Sequence, residues 1–405
     1  MERPARSPVG PRAALRLIAS REFGPYFFGN ALSASGGWFQ NLAAAILIYR
    51  LTGSELLLGV LTFANFAPML FLAPWTGAAA DRFDRRRLLL LTQPISALLA
   101  GVLAVVTALD VATAPLVIAL VFAVGVVSAF STPAQMALMA SLVQPRDLAS
   151  GVALNSMTFN LARVVGPALA ALTIATLGIA EAFAVNALSF LIFAGALLLV
   201  HPRRQERPES SRLRDSFELL RREPRLAVAL LIVMAVGFAS DPINTLAPAF
   251  AHAFERPDTF SGYIIGAFGA GAVTAAFVLA GRTSGRARMV GTLTLVGGGV
   301  IAFSLSPALP FAFGFLFVAG VGYLASNTAA TSFLQLGVAE SERGRIMALW
   351  SIAFLGLRPI ASLIDGAIAS AAGVRTAGVV LAVPVLALAA FLAFQSRRRP
   401  VVPTG

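Results

Sequence analysis

Long runs of apolar residues, separated by short polar pieces, follow one another along almost the whole chain. Each run is about 18–26 residues long, which lets a helix cross a hydrocarbon core of about 30 Å. The pattern predicts twelve helices, over 24–49, 56–76, 88–108, 116–140, 151–176, 182–200, 226–250, 261–280, 289–307, 311–336, 346–370 and 377–395. We therefore predict an all-α membrane protein with twelve transmembrane helices.

Composition supports this reading and removes other classes of protein. Of the 405 residues 58% are hydrophobic and 12% are charged, whereas soluble domains carry about 25% charged residues. A cytosolic enzyme and a disordered chain are therefore excluded. The chain has no Cys and two His, so neither a disulfide scaffold nor a metal centre built on thiolates or imidazoles is expected. We predict no cofactor.

The distribution of arginine predicts the orientation in the membrane. All 31 basic residues are Arg, and 26 of them lie on the two termini and the even-numbered connections. Cytoplasmic loops retain positive charge, so both termini are predicted to be cytoplasmic. The net charge of +12 is thus a topology signal, and no nucleic-acid partner is expected.

One long polar connection predicts the domain organisation. The segment 201–225 is rich in Arg, Glu, Pro and Ser, and it separates six predicted spans from six others. For part of it, 214–222, the sequence leaves two predictions open: a short amphipathic helix on the anionic leaflet or a solvated linker. The predicted parts are an N-terminal segment 1–23, a bundle 24–200, a linker 201–225, a second bundle 226–395 and a tail 396–405.

An internal repeat relates the two bundles. A shift of 195 positions aligns VALNSMTFNLAR (152–163) with MALWSIAFLGLR (347–358) and superimposes Arg163 on Arg358. The shift spans six helices, an even number, so the two repeats run parallel about an axis along the membrane normal. Such repeats are typical of transporters whose substrate site lies near mid-membrane between them.

Two motifs carry a resemblance to a known family. The loop after the second span, GAAADRFDRRR (77–87), resembles the G-x-x-x-D-R-x-x-R-R signature of the major facilitator superfamily. The fifth span carries Arg163, Gly166 and Pro167 in RVVGPALA, which is similar to the G-P-x-x-G element of antiporters in that superfamily, with Ala170 as its last residue.

Further strings narrow the resemblance. YRLTGS (49–54), FSTPA (130–134) and LNSMTFNLARVVGPAL (154–169) look like the bacterial efflux branch that contains the enterobactin exporter. The resemblance covers about 23–375. It implies the major facilitator fold, transport of a small molecule, a bacterial inner (plasma) membrane and a monomer.

The signature loop supplies a predicted conformational latch, formed by Gly77, Asp81, Arg82, Arg85 and Arg86. The resemblance implies that Asp81 faces the cytoplasmic start of span eleven, where a helix N-terminus attracts a carboxylate. The arginines would form ion pairs with acidic residues of the two halves, and these pairs would break as the transporter turns inward. The acids considered are Asp84, Asp147, Glu340 and Glu342. The alternative is that Arg82, Arg85 and Arg86 only anchor the topology.

Four charges lie well inside the spans: Arg163, Asp241, Arg358 and Asp365. A charge at the bilayer centre costs about 2.5–3.5 kcal/mol on insertion scales, so each is a functional candidate. Counting residues places the arginines about 18 Å from the cytoplasmic ends and the aspartates about 23–28 Å from them. Two positive and two negative charges are expected to neutralise one another, although Arg358 and Asp365 stand about 10 Å apart along one helix face.

Asp241 is the predicted proton-coupling residue, with Asp365 and Arg358 as further candidates. Burial and a nearby Arg act in opposite directions on a carboxyl group, so rearrangement of the halves would change its protonation. Pro242 is expected to bend the helix beside it. The alternative is a structural Asp–Arg pair. The first span offers only Gln40 and Asn41 where proton-coupled drug exporters of the family have an acid.

The remaining candidates are polar and aromatic residues inside the spans, as expected of an apolar pocket with a few polar groups. They are Trp38, Gln40, Asn41, Asn65, Phe66, Asn155, Asn160, Asn244, Asn327 and Trp350. The alternative is that about half of them pack helices together.

The sequence predicts a secondary transporter that exports a hydrophobic or siderophore-like small molecule in exchange for protons. One alternative is import of a nutrient or lipid-derived solute by the same fold. Another is a membrane sensor or scaffold that transports nothing. The sequence contains no nucleophile–base constellation and no ATP-binding motif, so an enzyme is not expected.

Overall fold

A computed structural model of the chain describes residues 11–202, 219–278, 285–339 and 342–398. Those residues form helices joined by short turns, and no strand occurs among them. Within them, eleven helices are long and apolar enough to cross a membrane, and the second predicted span is a shorter apolar helix, Glu55–Phe71. The prediction of an all-α membrane protein with twelve spans is confirmed.

The helix bounds extend most of the predicted spans by a few residues. We number the described helices in chain order. In the first half they are α1 Pro11–Ile18, α2 Gly24–Thr52, α3 Glu55–Phe71, α4 Ala73–Arg82, α5 Arg85–Ala108, α6 Ala114–Leu142, α7 Leu148–Thr176 and α8 Ile179–Leu199. In the second half they are α9 Pro224–Thr245, α10 Ala247–Ala253, α11 Ser261–Val278, α12 Arg286–Leu305, α13 Leu309–Leu336, α14 Arg343–Ser351, α15 Arg358–Ala372 and α16 Val374–Arg398.

The helices group into two compact units. The first unit comprises Met1–Leu47 and Ala67–Pro208, and the second comprises Ile48–Phe66 and Glu209–Gly405. The unit boundaries fall inside α2 and inside α3. Most of the predicted linker, 203–218, lies outside the described residues, so neither of its two readings is decided.

Aromatic side chains fill the interior of each unit. In the first unit Tyr26 is buried against the edge of Phe193, with ring centroids 5.9 Å apart, and its hydroxyl donates a hydrogen bond to the carbonyl of Gln135 at 2.8 Å. In the second unit Phe250 and Phe303 are fully buried with centroids 4.7 Å apart. Because lipid is as apolar as these rings, close packing and satisfied polar groups hold such helices together.

Two spans of the second unit are interrupted, and proline explains both breaks. The seventh span is broken at Leu246, between α9 and α10, because Pro248 in the first turn of α10 has no N–H to donate to the preceding turn. Pro242 lies within α9, four residues before this break, and the bend expected beside it stays a prediction.

The eleventh span is broken in the same way. It runs as α14, then a π-helical turn Ile352–Gly356, and then α15, which begins at Arg358 with Pro359 in its first turn. A π turn leaves backbone groups outside the regular ladder and is frequent at functional sites. Because of this break, Arg358 is the first residue of α15 and lies at the helix N-terminus, which carries a partial positive charge.

Candidate functional site

An ion pair joins the two interrupted spans of the second unit. The Nε of Arg358, at the start of α15, lies 3.2 Å from Oδ1 of Asp241 near the end of α9. Both side chains are largely buried, and Oδ2 of Asp241 accepts a hydrogen bond from the hydroxyl of Thr245 at 2.9 Å. The predicted neutralisation of an inner Arg by an inner Asp is therefore seen in this structure.

The sequence predicts that Asp241 and Arg358 differ in membrane depth by at least about 5 Å. The contact arises because the long Arg side chain spans that difference and because each helix is broken nearby. The carboxylate of Asp241 thereby contacts the guanidinium of the residue that begins α15.

A second carboxyl group adjoins this pair. Asp365 follows Arg358 by seven residues, so the two lie on one face of α15, and its carboxyl is next to that of Asp241. Asp365 is fully buried. Its two oxygens have no hydrogen bond of standard geometry among the described residues. Among the described residues, the cluster therefore holds two carboxyl groups and one guanidinium.

An aromatic ring also contacts the side chain of Arg358. The guanidinium lies over the ring of Phe66, 4.5 Å from its centroid, which is the arrangement of a cation–π contact. Phe66 belongs to the part of α3 that groups with the second unit. Of the residues predicted from sequence, Asp241, Asp365, Arg358 and Phe66 thus meet in one cluster.

A related arrangement occurs in the first unit, between α2 and α7. The guanidinium of Arg163, near the middle of α7, lies over the ring of Trp38 at 5.2 Å from the centroid. The ring of Phe159, one turn earlier in α7, meets Trp38 edge-on at 6.2 Å. In each unit, therefore, the repeat-related Arg contacts the first long helix of its own repeat, through Trp38 in one and Asp241 in the other.

Gly166 explains why α2 and α7 come so close. A Cβ atom at this position would lie 2.6 Å from the carbonyl oxygen of Ser35 and 2.8 Å from Cβ of Trp38. No residue larger than glycine fits there without a shift of the backbone. Pro167 lies inside α7, buried next to this contact. The antiporter-like element is thus a helix contact that holds Arg163 beside Trp38.

The other predicted cavity residues are dispersed. Gln40 is buried and accepts a hydrogen bond from Asn186 of α8 at 2.7 Å. Asn155 accepts one from Asn30 at 3.4 Å. These amides join helices of the first unit, as the packing alternative predicted. Asn41 in the first unit and Asn65 in the second are both half-buried.

The polar candidates in the middle of other helices differ in their partners. Asn160 and Asn244 each donate to a carbonyl of their own helix, at 2.8 and 2.9 Å. The indole of Trp350 donates to the hydroxyl of Thr331 at 2.9 Å, and its ring stacks on Phe354. The Oδ1 atom of Asn327 is buried without a hydrogen-bond partner among the described residues.

Two of the predicted latch arginines, Arg85 and Arg86, contact backbone carbonyls. Arg85 donates to the carbonyl of Ala137 at 3.3 Å, and Arg86 donates to Leu197 and Leu198 at 2.7 and 2.9 Å. Gly77 and Arg82 lie in α4, whereas the side chain of Asp81 lies outside the described part.

Of the four acids named as latch partners, two are engaged elsewhere, and Glu342 is described as half-buried at the start of the eleventh span. Asp147 pairs with Arg16 at 2.8 Å, and Asp84 caps the N-terminus of α5 through the N–H of Arg87. Glu340 is outside the described residues. The latch remains a prediction.

Sequence reasoning missed Thr245, Asn186 and the role of Phe159. Thr245 follows Asp241 by four residues and so shares its helix face, a spacing that would have indicated the contact. Asn186 is an amide within an apolar run, which marks an interhelical hydrogen bond. Phe159 precedes Arg163 by one turn, but only the folded structure shows that both contact Trp38.

Comparisons with known proteins agree with this architecture. Residues 14–402 match the model of the transmembrane secretion effector family. The staphyloferrin A transporter of Staphylococcus aureus is 27% identical over 56% of this chain, and the match spans 59% of that relative's length. The multidrug efflux pump Tap of Mycolicibacterium fortuitum is 25% identical over 92% of this chain and 95% of its own.

A solved structure shows the same fold. The inward-facing, occupied structure of a bacterial homologue of the human lysosomal transporter Spinster superposes with a TM-score of 0.73, covering 96% of this chain and 97% of that one at 17% identity. The resemblance seen in the sequence is thereby confirmed, and the relatives are transporters rather than enzymes. The chain belongs to the transmembrane secretion effector family of major facilitator superfamily transporters.

Proposed function

We propose that this protein exports a hydrophobic or siderophore-like small molecule across the bacterial inner membrane in exchange for protons. The observation that carries the proposal is the buried cluster of Asp241, Asp365 and Arg358 between two interrupted spans. In a membrane protein, ionisable groups inside the spans mark ion pathways and proton relays.

The charge balance of the cluster supports a proton as the coupling ion. With both carboxyl groups ionised, one guanidinium leaves a buried net negative charge, which is costly away from water. One proton held between Asp241 and Asp365 makes the cluster neutral and lets one carboxyl donate a hydrogen bond to the other. Release of that proton breaks this bond, and the repulsion between the carboxylates then favours a different arrangement of α9 and α15.

The helix breaks lie next to the carboxyl groups whose protonation would change. Broken helices in transporters present their ends to the coupling ion or substrate near mid-membrane. The breaks at Leu246 and at Ile352–Gly356 flank the cluster on both spans. Protonation would therefore alter segments whose backbone ladder is already interrupted, at less cost than bending a regular helix.

The efflux-pump relative supports export as the direction, and both relatives support a small molecule as cargo. One is a siderophore transporter and another a multidrug efflux pump. Import of a nutrient has no such support. The distribution of arginine supports a cytoplasmic position of both termini. The family resemblance supports a monomer.

The first experiment identifies a cargo and the direction. A thermal-shift screen of the purified protein against siderophores, antibiotics and lipids selects the compound that most raises its apparent stability, since a ligand that binds only the folded state stabilises it. Uptake of that compound is then compared in inverted and right-side-out vesicles. Export predicts accumulation in inverted vesicles, whereas accumulation only in right-side-out vesicles would establish import.

The second experiment tests the coupling residue. Asp241→Asn is expected to lower pH-gradient-driven accumulation at least tenfold while the protein remains folded, because the amide cannot exchange a proton. Asp110→Asn is the matched control: Asp110 is exposed in a turn with a φ of 54°, which Asn tolerates. Undiminished transport by Asp241→Asn would remove this residue from the mechanism.

Asp365→Asn distinguishes the role of the second carboxyl group from that of Asp241. The variant keeps the Asp241–Arg358 pair and removes the second proton-binding site. It is expected to carry cargo down its own gradient at a normal rate and to lose acceleration by a pH gradient. Full acceleration in this variant would show that Asp241 works without Asp365.

A further inference from the structure

Two arginines share one buried carboxylate in the first unit, where α1 meets the turn before α7. Nη2 of Arg16 lies 2.8 Å from Oδ1 of Asp147, and Nε of Arg146 lies 3.6 Å from Oδ2. Asp147 is buried, whereas the side chains of Arg16 and Arg146 are 61% and 68% exposed. The carboxylate therefore holds both guanidinium groups in place while most of their surface stays accessible.

Packing of α1 positions Arg16. Leu17 is buried in one apolar cluster with Leu142 and Val143, at the end of α6, and α1 also contacts α7. A helix of eight residues is not stable by itself in water, so these contacts and the ion pair to Asp147 hold α1 in place. The arrangement of the two cations is thus part of the fold of the first unit.

The two cations lie where the chain leaves the membrane. α6 ends at Leu142 and α7 begins at Leu148, and both helices are long and apolar enough to cross a bilayer. Arg146 and Asp147 belong to the short turn between them. A short connection between two spans lies at the level of the lipid headgroups, just outside the hydrocarbon core. Arg16 reaches the same level because it contacts Asp147.

The charges at this place favour an anion. Asp147 balances one of the two guanidinium groups, and both remain protonated in a protein, so one positive charge is left over. The phosphodiester of an anionic phospholipid carries one negative charge and two free oxygens, which guanidinium groups bind through charge-assisted hydrogen bonds. Arg86 differs, because its guanidinium donates to the last carbonyls of α8.

An apolar side chain adjoins the cations. Leu15 precedes Arg16 in α1 and is 66% exposed, whereas Leu17 faces the interior. Exposed leucine beside exposed arginine is typical of a helix that lies at the membrane surface. We propose that Arg16 and Arg146 bind the phosphate of an anionic phospholipid and that Leu15 contacts its acyl chains.

The test measures how lipids change the thermal unfolding of the full chain in a neutral detergent. Three probes are compared at equal concentration: dioctanoyl phosphatidylglycerol, dioctanoyl phosphatidylcholine and glycerol 3-phosphate. A ligand that binds only the folded state raises the unfolding temperature. Phosphatidylglycerol is expected to raise it by a few degrees more than phosphatidylcholine, which has no net charge, or glycerol 3-phosphate, which has no acyl chain.

Substitutions assign the difference between the two lipids to residues. Arg16→Gln and Arg146→Gln are each expected to lose at least half of this difference, and the double variant nearly all of it. Comparing the lipids within one variant cancels the stability lost with the ion pair to Asp147. Leu15→Gln keeps both charges and is expected to lower the response to phosphatidylglycerol. Arg256→Gln removes an exposed guanidinium from the turn after α10 and should keep the full difference.

Three results would overturn the proposal. One is an equal response to both lipids, and another is an unchanged difference in the two single arginine variants, which decide the question if the double variant does not fold. The third is a response to glycerol 3-phosphate as large as that to phosphatidylglycerol, because it would show a site for soluble phosphate. No gradient and no cargo are present, so these outcomes are independent of whether Asp241 couples transport to protons.

Discussion

Gly59 of α3 and Ser362 of α15 are in direct backbone contact: a Cβ atom added to Gly59 would overlap the carbonyl oxygen of Ser362. Gly366 continues the contact one turn along α15 and is itself closed in by the backbone of α3. Both helices contribute to the second unit, and α15 carries Arg358 and Asp365. Small residues at this crossing hold the segment 48–66 against the helix of the charged cluster.

Gly59→Ala is therefore expected to destabilise the protein by about 1–3 kcal/mol, the usual cost of overpacking, because the overlapping atom is backbone that no side-chain rotation can move. Thermal unfolding of the purified protein in detergent measures the effect. Gly314→Ala is the control, since an added Cβ there meets no atom within 4 Å. Equal stability of the two variants would contradict the tight crossing.

Arg50 and Asp258 form an ion pair within the second unit, with a second contact from Nη2 to Oδ1 at 2.8 Å. Because the Arg50 side chain is 48% exposed, we expect a coupling energy of at most about 1 kcal/mol. A double-mutant cycle on Arg50→Gln and Asp258→Asn measures it. The exchanged pair, Arg50→Asp with Asp258→Arg, should recover stability lost in either charge-reversed single variant; no recovery would show that the contact does not depend on charge.

Gly166→Ala is expected to separate α7 from α2, because its Cβ would lie 2.6 Å from the carbonyl oxygen of Ser35. The separation would displace Arg163 from Trp38 and destabilise the protein by about 1–3 kcal/mol, the usual cost of overpacking, which thermal unfolding in detergent measures. Gly195→Ala, where an added Cβ meets no atom within 4 Å, should keep the parent's stability. A Gly166→Ala variant as stable as the parent would show that this helix contact is not tight.

Arg86→Gln distinguishes a latch from a structural cap. In the structure Arg86 donates to the last-turn carbonyls of α8, at Leu197 and Leu198, a favourable position for a cation. If capping is its whole role, the variant loses about 1 kcal/mol of stability and transports at the parent's rate. Arg87→Gln is the control, because the Arg87 side chain is exposed and donates to no helix-end carbonyl among the described residues. A transport defect at unchanged stability would instead support the latch.

The sequence determined the twelve spans and the transporter family, because a helix must be about 20 apolar residues long to cross the bilayer and must bond its own backbone there. It also identified Arg163, Arg358, Asp241 and Asp365, since each charge inside a span is costly enough to stand out. Length and cost are properties of one segment at a time, so they can be read along the chain.

The tertiary structure alone decided which of these charges meet. Asp241 and Arg358 are far apart in sequence and come from spans whose breaks set the depth and direction of their side chains, and Phe66 and Trp38 reach the two arginines from other helices. The tertiary structure also showed that Gln40 accepts a hydrogen bond from Asn186 inside the first unit. A helix has polar residues on several faces, and apolar periodicity is weak where lipid surrounds it, so rotation and partner choice follow from close packing between helices.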